Sequence, residues 1–403
     1  MATNTLLTID QITRRALMIL HEKLTFVRSI NRQYDPSFAQ AGAKIGSQLR
    51  IRKPVQYLVT DGATMTPSDS VEQYTTLQVT SQKNVGIEFT SAEMTLSIDD
   101  YADRFLDPAM SALAAKVEAE CIKLGTQATF NQVGSAGTVP ATLSTYMEAR
   151  EKLNQFLAPK DRNRNILIPS RFSTKIIDAL KGLAQDEGEI ARQYREGMMG
   201  RAAGFDWAES ESMHTHTNGS QTMTGAVATT VSSDGATQLA VDTLGNTKTV
   251  TVGTVFTIAG VYAVHPETKE TRAVLQQFVV TSAKTSDSGG LATLDVSPPM
   301  FYGSTGRKNI SKAPADGDVI TYVGTLSAGH EQGLAYHRDA FTFATADLEL
   351  PQGGAKGSRA VYDGISLRVV KGFDITNDKH PARVDVLFGF AALRAEHACR
   401  ITA

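Results

Sequence analysis

Cysteine is nearly absent from this chain of 403 residues: Cys121 and Cys399 stand far apart and in no ligand-like spacing. That excludes a disulfide framework and fits a reducing compartment. Charge of one sign is missing too, since 40 Lys and Arg against 42 Asp and Glu leave a formal net charge of −2. No global basic field draws the chain to nucleic acid or to an anionic membrane, so any contact with DNA is local and weak. No apolar run approaches the ~20 residues a membrane-spanning helix needs. The opening MATNTLLTIDQITRRALMIL places Asp10, Arg14 and Arg15 where a signal peptide needs an apolar centre. What remains, 41% hydrophobic and 20% charged, is the composition of an ordinary globular protein. At this length two or three domains are expected.

The pattern along the chain changes several times. Thr8 with Gln11 forms a capping box, and Ile9, Ile12, Ala16, Ile19, Leu20 and Val27 follow at helical spacing. From Leu49 the period becomes two, with Arg50 and Arg52 alternating against Leu49 and Ile51. After a turn-rich tip, TDGATMTPSDS, the alternation of Leu77, Val79, Val85, Ile87 and Phe89 predicts a strand of about thirteen residues, twice the usual length. Such a hairpin reaches out as an arm. Asp107-Pro108 predicts a helix start with Asp as N-cap, and Met110, Leu113, Val117, Cys121 and Leu124 form its stripe, with Glu118 off it. Thr145 with Glu148 caps a further helix; NILIP (165–169) reads as a buried strand, and Phe172, Ile176, Leu180 and Leu183 mark the next helix. Together these make an α/β layer. From Met213 to about Val323, Thr, Val, Ser, Gly and Ala dominate, with turn signals at Asp234-Gly235 and Gly245-Asn246. This predicts a small all-β barrel or sandwich inserted into that layer.

Chemistry is sparse. His214 and His216 project to one face of an extended segment, but a metal site needs further ligands and the other histidines are scattered. Solvated histidines at a domain junction are the simpler reading. Asp374, Asn377 and Asp378 lack the glycine and terminal glutamate of a calcium loop, and PQGGAKGSRA (351–360) lacks the residue order of a phosphate-binding loop. GRKNISK (306–312) is a basic loop, read as solvated. No catalytic residue, cofactor or metal is expected.

The order of elements, with Ala203-Gly204-Phe205-Asp206, GTVFTIAGV (253–261), GDVITYVG (317–324) and VLFGF (386–390), resembles the major capsid proteins of tailed bacteriophages, the Hong Kong 97-type fold. Within them the likeness is to short-tailed temperate-phage coat proteins with an insertion domain. The resemblance implies an α+β fold: an N-terminal arm (1–45), an extended β-hairpin or E-loop (46–92), a peripheral domain with a spine helix (93–140), an axial domain (141–212), an inserted β-rich domain (213–325), and the completion of the axial and peripheral domains (326–403). It implies a non-enzymatic subunit that forms pentamers and hexamers of an icosahedral head around double-stranded DNA. The chain begins almost at once with its arm, so a separate scaffolding protein is implied, together with a portal protein. The virion is the expected location, with assembly in the host cytoplasm. Candidate inter-subunit contacts are Arg50, Arg52, Lys53, Asp61, Gly62 and Lys83. Gly204, Phe205, Asp206 and Trp207 are read as a domain junction, and Lys53 and Lys83 as not crosslinked. The alternatives are another phage structural part, a tail-tube or decoration protein, and, less favoured, an enzyme using Asp206, His214 and His216.

Overall fold

The computed structural model describes residues 9–32, 48–59, 63, 72–90, 102–180, 200–351, 356–373 and 379–403. The expectations for Thr8, Asp61, Gly62, Leu183, Asp374, Asn377 and Asp378 lie outside these residues. The chain is α+β and divides into two compact units. One is drawn from Met1–Ile51, Tyr74–Cys121 and Phe341–Leu393, the other from Arg52–Gln73, Ile122–Ala340 and Arg394–Ala403.

In the first unit, helix Ile9–Lys23 buries Ala16, Leu17, Ile19 and Leu20 against strands Lys356–Tyr362 and Ile365–Lys371. These belong to a sheet in which the long strand Lys379–Ala392 is flanked by Phe341–Thr345 on one side and Ile365–Lys371 on the other. Aromatic pairs across its strands fill the core, Phe341 with Phe390 at 5.7 Å and Phe343 with Phe388 at 5.5 Å, and Phe26, from the short helix Phe26–Ser29, packs on Phe341 at 5.9 Å.

The alternating run from Leu77 to Phe89 is two strands rather than the one expected. Gln73–Gln78 pairs with Gln48–Lys53 in a two-stranded sheet, and Ser81–Thr90 pairs along its length with Lys379–Ala392. The side-chain phase carries through the break, with Leu77 and Val79 both buried, so the sequence pattern looks continuous. The partner changes because the chain crosses Gly389: a Cβ there would stand 3.0 Å from the Val79 Cα.

Helix Asp107–Ala128 follows directly on a π-helical turn, Ala102–Leu106, so Asp107 is internal and not the expected cap. Leu106, Met110, Leu113, Val117 and Cys121 are buried as one stripe. Two residues reverse their expected places. Leu124 is exposed, and Glu118 is buried, accepting hydrogen bonds from the Phe26 N–H (2.8 Å) and the Thr25 N–H (3.2 Å). The carboxylate satisfies the free amides at the start of the short helix Phe26–Ser29, which apolar periodicity does not reveal.

In the second unit, strands Ala398–Thr402, Gly329–His337, Arg164–Ile168 and Phe205–Glu209 lie side by side, with Thr215–Thr217 also pairing to Gly329–His337. Helices Leu143–Gln155 and Ser170–Leu180 cover one face; the first is capped three residues before the expected Thr145, at a Thr142 that makes no side-chain cap. Between Thr215–Thr217 and Gly329–His337 in the sequence, six strands close into a barrel in the order Ala236–Asp242, Ala292–Met300, Thr271–Val280, Val255–Val264, Val319–Tyr322, Thr224–Val227. Leu239, Val241, Phe256, Ile258, Phe278, Val280, Leu294 and Ile320 fill it, with Phe256 and Phe278 stacked at 5.7 Å as directly opposed residues. Among the described residues no helix is long and apolar enough to cross a membrane.

Gly389→Ala should cost about 1–3 kcal/mol, the usual penalty for overpacking, because the nearest atoms are backbone and cannot swing aside. Chemical denaturation against the parent checks it, and an unchanged midpoint would refute the crossing.

Candidate functional site

Successive residues of a strand face opposite sides, and the central sheet of the second unit uses both. Cys399 and Ile401 join Ile166, Ile168 and Ala335 in the apolar core beneath the helices. Arg400 and Thr402 therefore face the other way, yet all five residues of Ala398–Thr402 are buried. The register places Thr402 opposite Gln332 and His330 opposite His216, while the Gln332 N–H bonds to the His214 carbonyl. The result is a polar layer of Arg400, Thr402, Gln332, His330 and His216, all buried, with the half-buried His214 beside them.

Arg400 is at its centre and only 1% exposed. Its Nε donates to the Thr129 carbonyl at 2.7 Å and Nη1 to the Gly253 carbonyl at 2.7 Å, while Nη2 also reaches Thr129. Burial pulls its pKa down to about 9, so it stays cationic at neutral pH. Burying such a charge costs several kcal/mol. Two features offset that cost: charge-assisted bonds worth about 1.5–3 kcal/mol each, and a position just past the C-terminus of helix Asp107–Ala128, where the dipole favours a cation.

Gly253 belongs to the turn entering the barrel strand Val255–Val264 and has φ +88°. A Cβ there would stand 3.1 Å from Gln127 Cγ and 3.4 Å from His216 Cε1, so glycine lets the barrel backbone come this close. Two further clamps hold the barrel's base. Gln277 Oε1 accepts from the Gln132 N–H and its Nε2 donates to the Gln132 carbonyl, both at 2.9 Å. Asn218 Nδ2 donates to the carbonyls of Val323 (3.0 Å) and Thr325 (3.1 Å). An apolar seal of Phe130, Val255 and Val279, with Phe156 and Val323, lies beside them.

The histidines differ from the sequence reading. His216 is buried, not solvated, with Nε2 3.1 Å from Asn218 Oδ1, and strand pairing brings the distant His330 beside it. Among the described residues no group of three or more His, Cys, Asp or Glu is arranged to hold a metal. Burial lowers the pKa of His214 to about 4 and of His216 to about 3, with nearby cations acting in the same direction.

The Gly204–Trp207 stretch packs at the other end of the sheet. Ala203 and Gly204 both have positive φ and form a two-residue hairpin turn. Phe205 is buried in the helix-covered core. Trp207 Nε1 donates to the Ala202 carbonyl (2.9 Å), its ring lies 4.9 Å from Tyr146, and Asp206 pairs with Arg201 at 3.0 Å. Among the expected contact residues, Arg50 stacks over Tyr74 at 4.9 Å, Arg52 lies 3.3 Å from Glu72, and Lys83 pairs with Glu120 at 2.6 Å. Lys53 is half-buried on the ribbon. In the basic loop, Arg307 stacks over Phe301 and Lys312 pairs with Asp318. Sequence reasoning missed Arg400, Gln332 and Asn218. The one signal was the alternation Cys399-Arg400-Ile401-Thr402, with a charge where a half-buried strand has a small polar residue.

The geometry presents a structural joint, a barrel fixed to a sheet by a buried cation, and the comparisons place that joint in a bacteriophage capsid protein, a structural component of the virion. Residues 1–400 match the family of the P22 coat protein, gene protein 5, and the chain belongs to that family. Among solved structures it is similar to a chain of Mycobacterium phage Che8 (10% identity, covering 94% of this chain and 90% of that chain, TM-score 0.47). It is similar also to a chain of the capsid of cyanophage P-SCSP1u (11% identity, 90% and 84% covered, TM-score 0.42). A third similarity is to the CUS-3 coat protein I-domain (23% identity, 25% of this chain and 95% of that chain, TM-score 0.20). No curated protein matches the chain in sequence.

Arg400→Lys keeps the charge but cannot reach Thr129 and Gly253 together, because an ammonium lacks the planar fork. It should lower stability by about 1.5–3 kcal/mol, the worth of one charge-assisted bond, in urea denaturation. A loss below about 0.5 kcal/mol would show that the fork is not what holds the joint.

Proposed function

We propose that this capsid protein is the major coat subunit of the phage head, self-assembling into pentamers and hexamers of an icosahedral shell that encloses double-stranded DNA. Membership of the coat protein family across residues 1–400 is the observation that carries the reading. On this reading residues 1–45 are the N-terminal arm and 46–92 the extended E-loop that lies on a neighbouring subunit. Residues 93–140 form the peripheral domain with helix Asp107–Ala128 as its spine. Residues 141–212 begin the axial domain, and 326–403 complete both domains. Residues 213–325, which contain the closed barrel, are the inserted domain, entered just after Gly204–Trp207.

The ribbon Gln48–Lys53 with Gln73–Gln78 supports the E-loop assignment. A lone two-stranded ribbon is marginally stable in water, and this one exposes Tyr74, with Tyr57 and Val59 exposed just beyond its first strand. A neighbouring copy would cover that surface, and Arg50, Arg52, Lys53 and Lys83, with Asp61 and Gly62, would set register more than affinity. The net charge of −2 suits a lining that tolerates DNA without gripping it, since each phosphate contact adds salt-dependent affinity. The partners are other copies, a separate scaffolding protein, a portal protein and packaged DNA, with no membrane; assembly takes place in the host cytoplasm.

Electron microscopy of the purified protein, expressed alone and with a scaffolding protein, should show closed shells or polyheads. Monodisperse monomers under every such condition would overturn the reading, and uniform rings or open tubes would point to a tail-tube part. Arg52→Glu, at an exposed side chain, should leave unfolding within about 0.5 kcal/mol of the parent while lowering the yield of shells several-fold. Unchanged assembly would remove Arg52 from the interface.

A further inference from the structure

The polar layer of the second unit gathers basic side chains around the barrel's attachment. His214 and His216 come from the edge strand and its approach, His330 from Gly329–His337, Arg400 from Ala398–Thr402, and Lys123 from helix Asp107–Ala128. The neighbouring carboxylate, Glu331, follows His330 by one residue and so falls on the other face of the strand, where it pairs with Arg171 at 3.8 Å. The fixed charges acting on His214 and His216 are positive, Lys123 and Arg400 on the first and Arg400 on the second.

Hydrogen bonds fix where the ring protons stand. Both Asn218 Nδ2 hydrogens go to carbonyls, so Asn218 Oδ1 is an acceptor and His216 Nε2, 3.1 Å away, carries the hydrogen. The Thr325 N–H points at His330 Nε2 (3.1 Å), which must offer a lone pair. His214 Nε2 is buried without a hydrogen-bond partner. The layer thus holds His330 Nε2 as an acceptor and sets His214 and His216 beside a buried cation. A second proton would turn the acceptor under Thr325 into a donor, and on His216 or His214 it would add charge beside Arg400. Asn218, Thr325 and Gly253 are also the points at which the barrel meets the sheet.

We propose that this layer is an acid-sensitive latch: protonation of His214 and His216 forces cations together around Arg400 and releases the barrel's base from the sheet, while the barrel's own apolar interior stays closed. The sign follows from the burial. The unfolded or opened chain takes up these protons near pH 6.5, the folded layer only near 4 and 3. Latching is complete above about pH 7, weakens as pH falls through 6.5, and is fully lost below about 3. Between about pH 7 and 5 the opened form should gain more than tenfold in population, even after discounting for the part-exposed His214.

Hydrogen–deuterium exchange on the full chain at about pH 7 and about pH 5, corrected for the intrinsic pH dependence of exchange, reads this directly. Segments 214–218 and 323–332 should lose protection at least tenfold more than barrel strand Val255–Val264. A His214→Gln/His216→Gln double variant should lose that selectivity. Equal loss across all segments, no loss in the parent, or the same selective loss in the variant would each overturn the latch. If the variant fails to fold, histidine C2-hydrogen exchange on the parent decides alone: apparent pKa values below about 5 for His214 and His216 support the latch, and values near the ordinary 6.5 refute it.

Discussion

A full positive charge, buried and answered by backbone carbonyls, is the constraint around which the second unit is arranged. Arg400 reaches Thr129 just past the long helix and Gly253 at the entry to the barrel, from a strand whose other face completes the apolar core. A cation in such a place is tolerable only if each of its nitrogens finds an acceptor and the local dipoles favour it. The surrounding features meet that demand: a helix C-terminus supplies negative potential, a glycine at φ +88° brings the barrel backbone within reach, and the nearby imidazoles are held neutral. Remove any one and the others lose their reason.

The same logic links packing to function. A closed barrel has no free edge, and this one has its own aromatic and aliphatic interior, so it needs only a base to stand on. That base combines direction, from the Arg400, Gln277 and Asn218 bonds, with an apolar seal around Phe130. For a capsid protein, directional bonds suit a part that must keep one orientation. The first unit has a counterpart of opposite sign. Asp385, fully buried on the long strand, is clamped by Arg368 at 2.7 Å and Arg383 at 2.6 Å.

Much of this was legible in residue order, and the failures share a cause. Helical stripes such as Met110, Leu113, Val117 and Cys121, and short strands such as NILIP, show through because local periodicity alone determines them. Leu77 to Phe89 misled because side-chain phase survives a change of partner, and only the distant Gly389 reveals the crossing. Glu118 misled because its partners, the amides of Thr25 and Phe26, lie some ninety residues away. His214 and His216 drew notice as a pair, but their burial and the arrival of His330 follow from strand register, which a single sequence does not encode. Arg400 went unnoticed altogether, since its partners are carbonyls, which carry no residue identity. Family resemblance, by contrast, was readable from the order of elements.

The central claim is that a buried, carbonyl-bound arginine seats the barrel on the sheet. A cryo-electron microscopy reconstruction of the assembled protein, at a resolution that shows side chains, tests it most directly. The account predicts density for the Arg400 guanidinium running between the Thr129 and Gly253 carbonyls, with the Asn218 side chain on His216. A guanidinium turned to solvent, or paired with a carboxylate while the barrel keeps its seat, would contradict it.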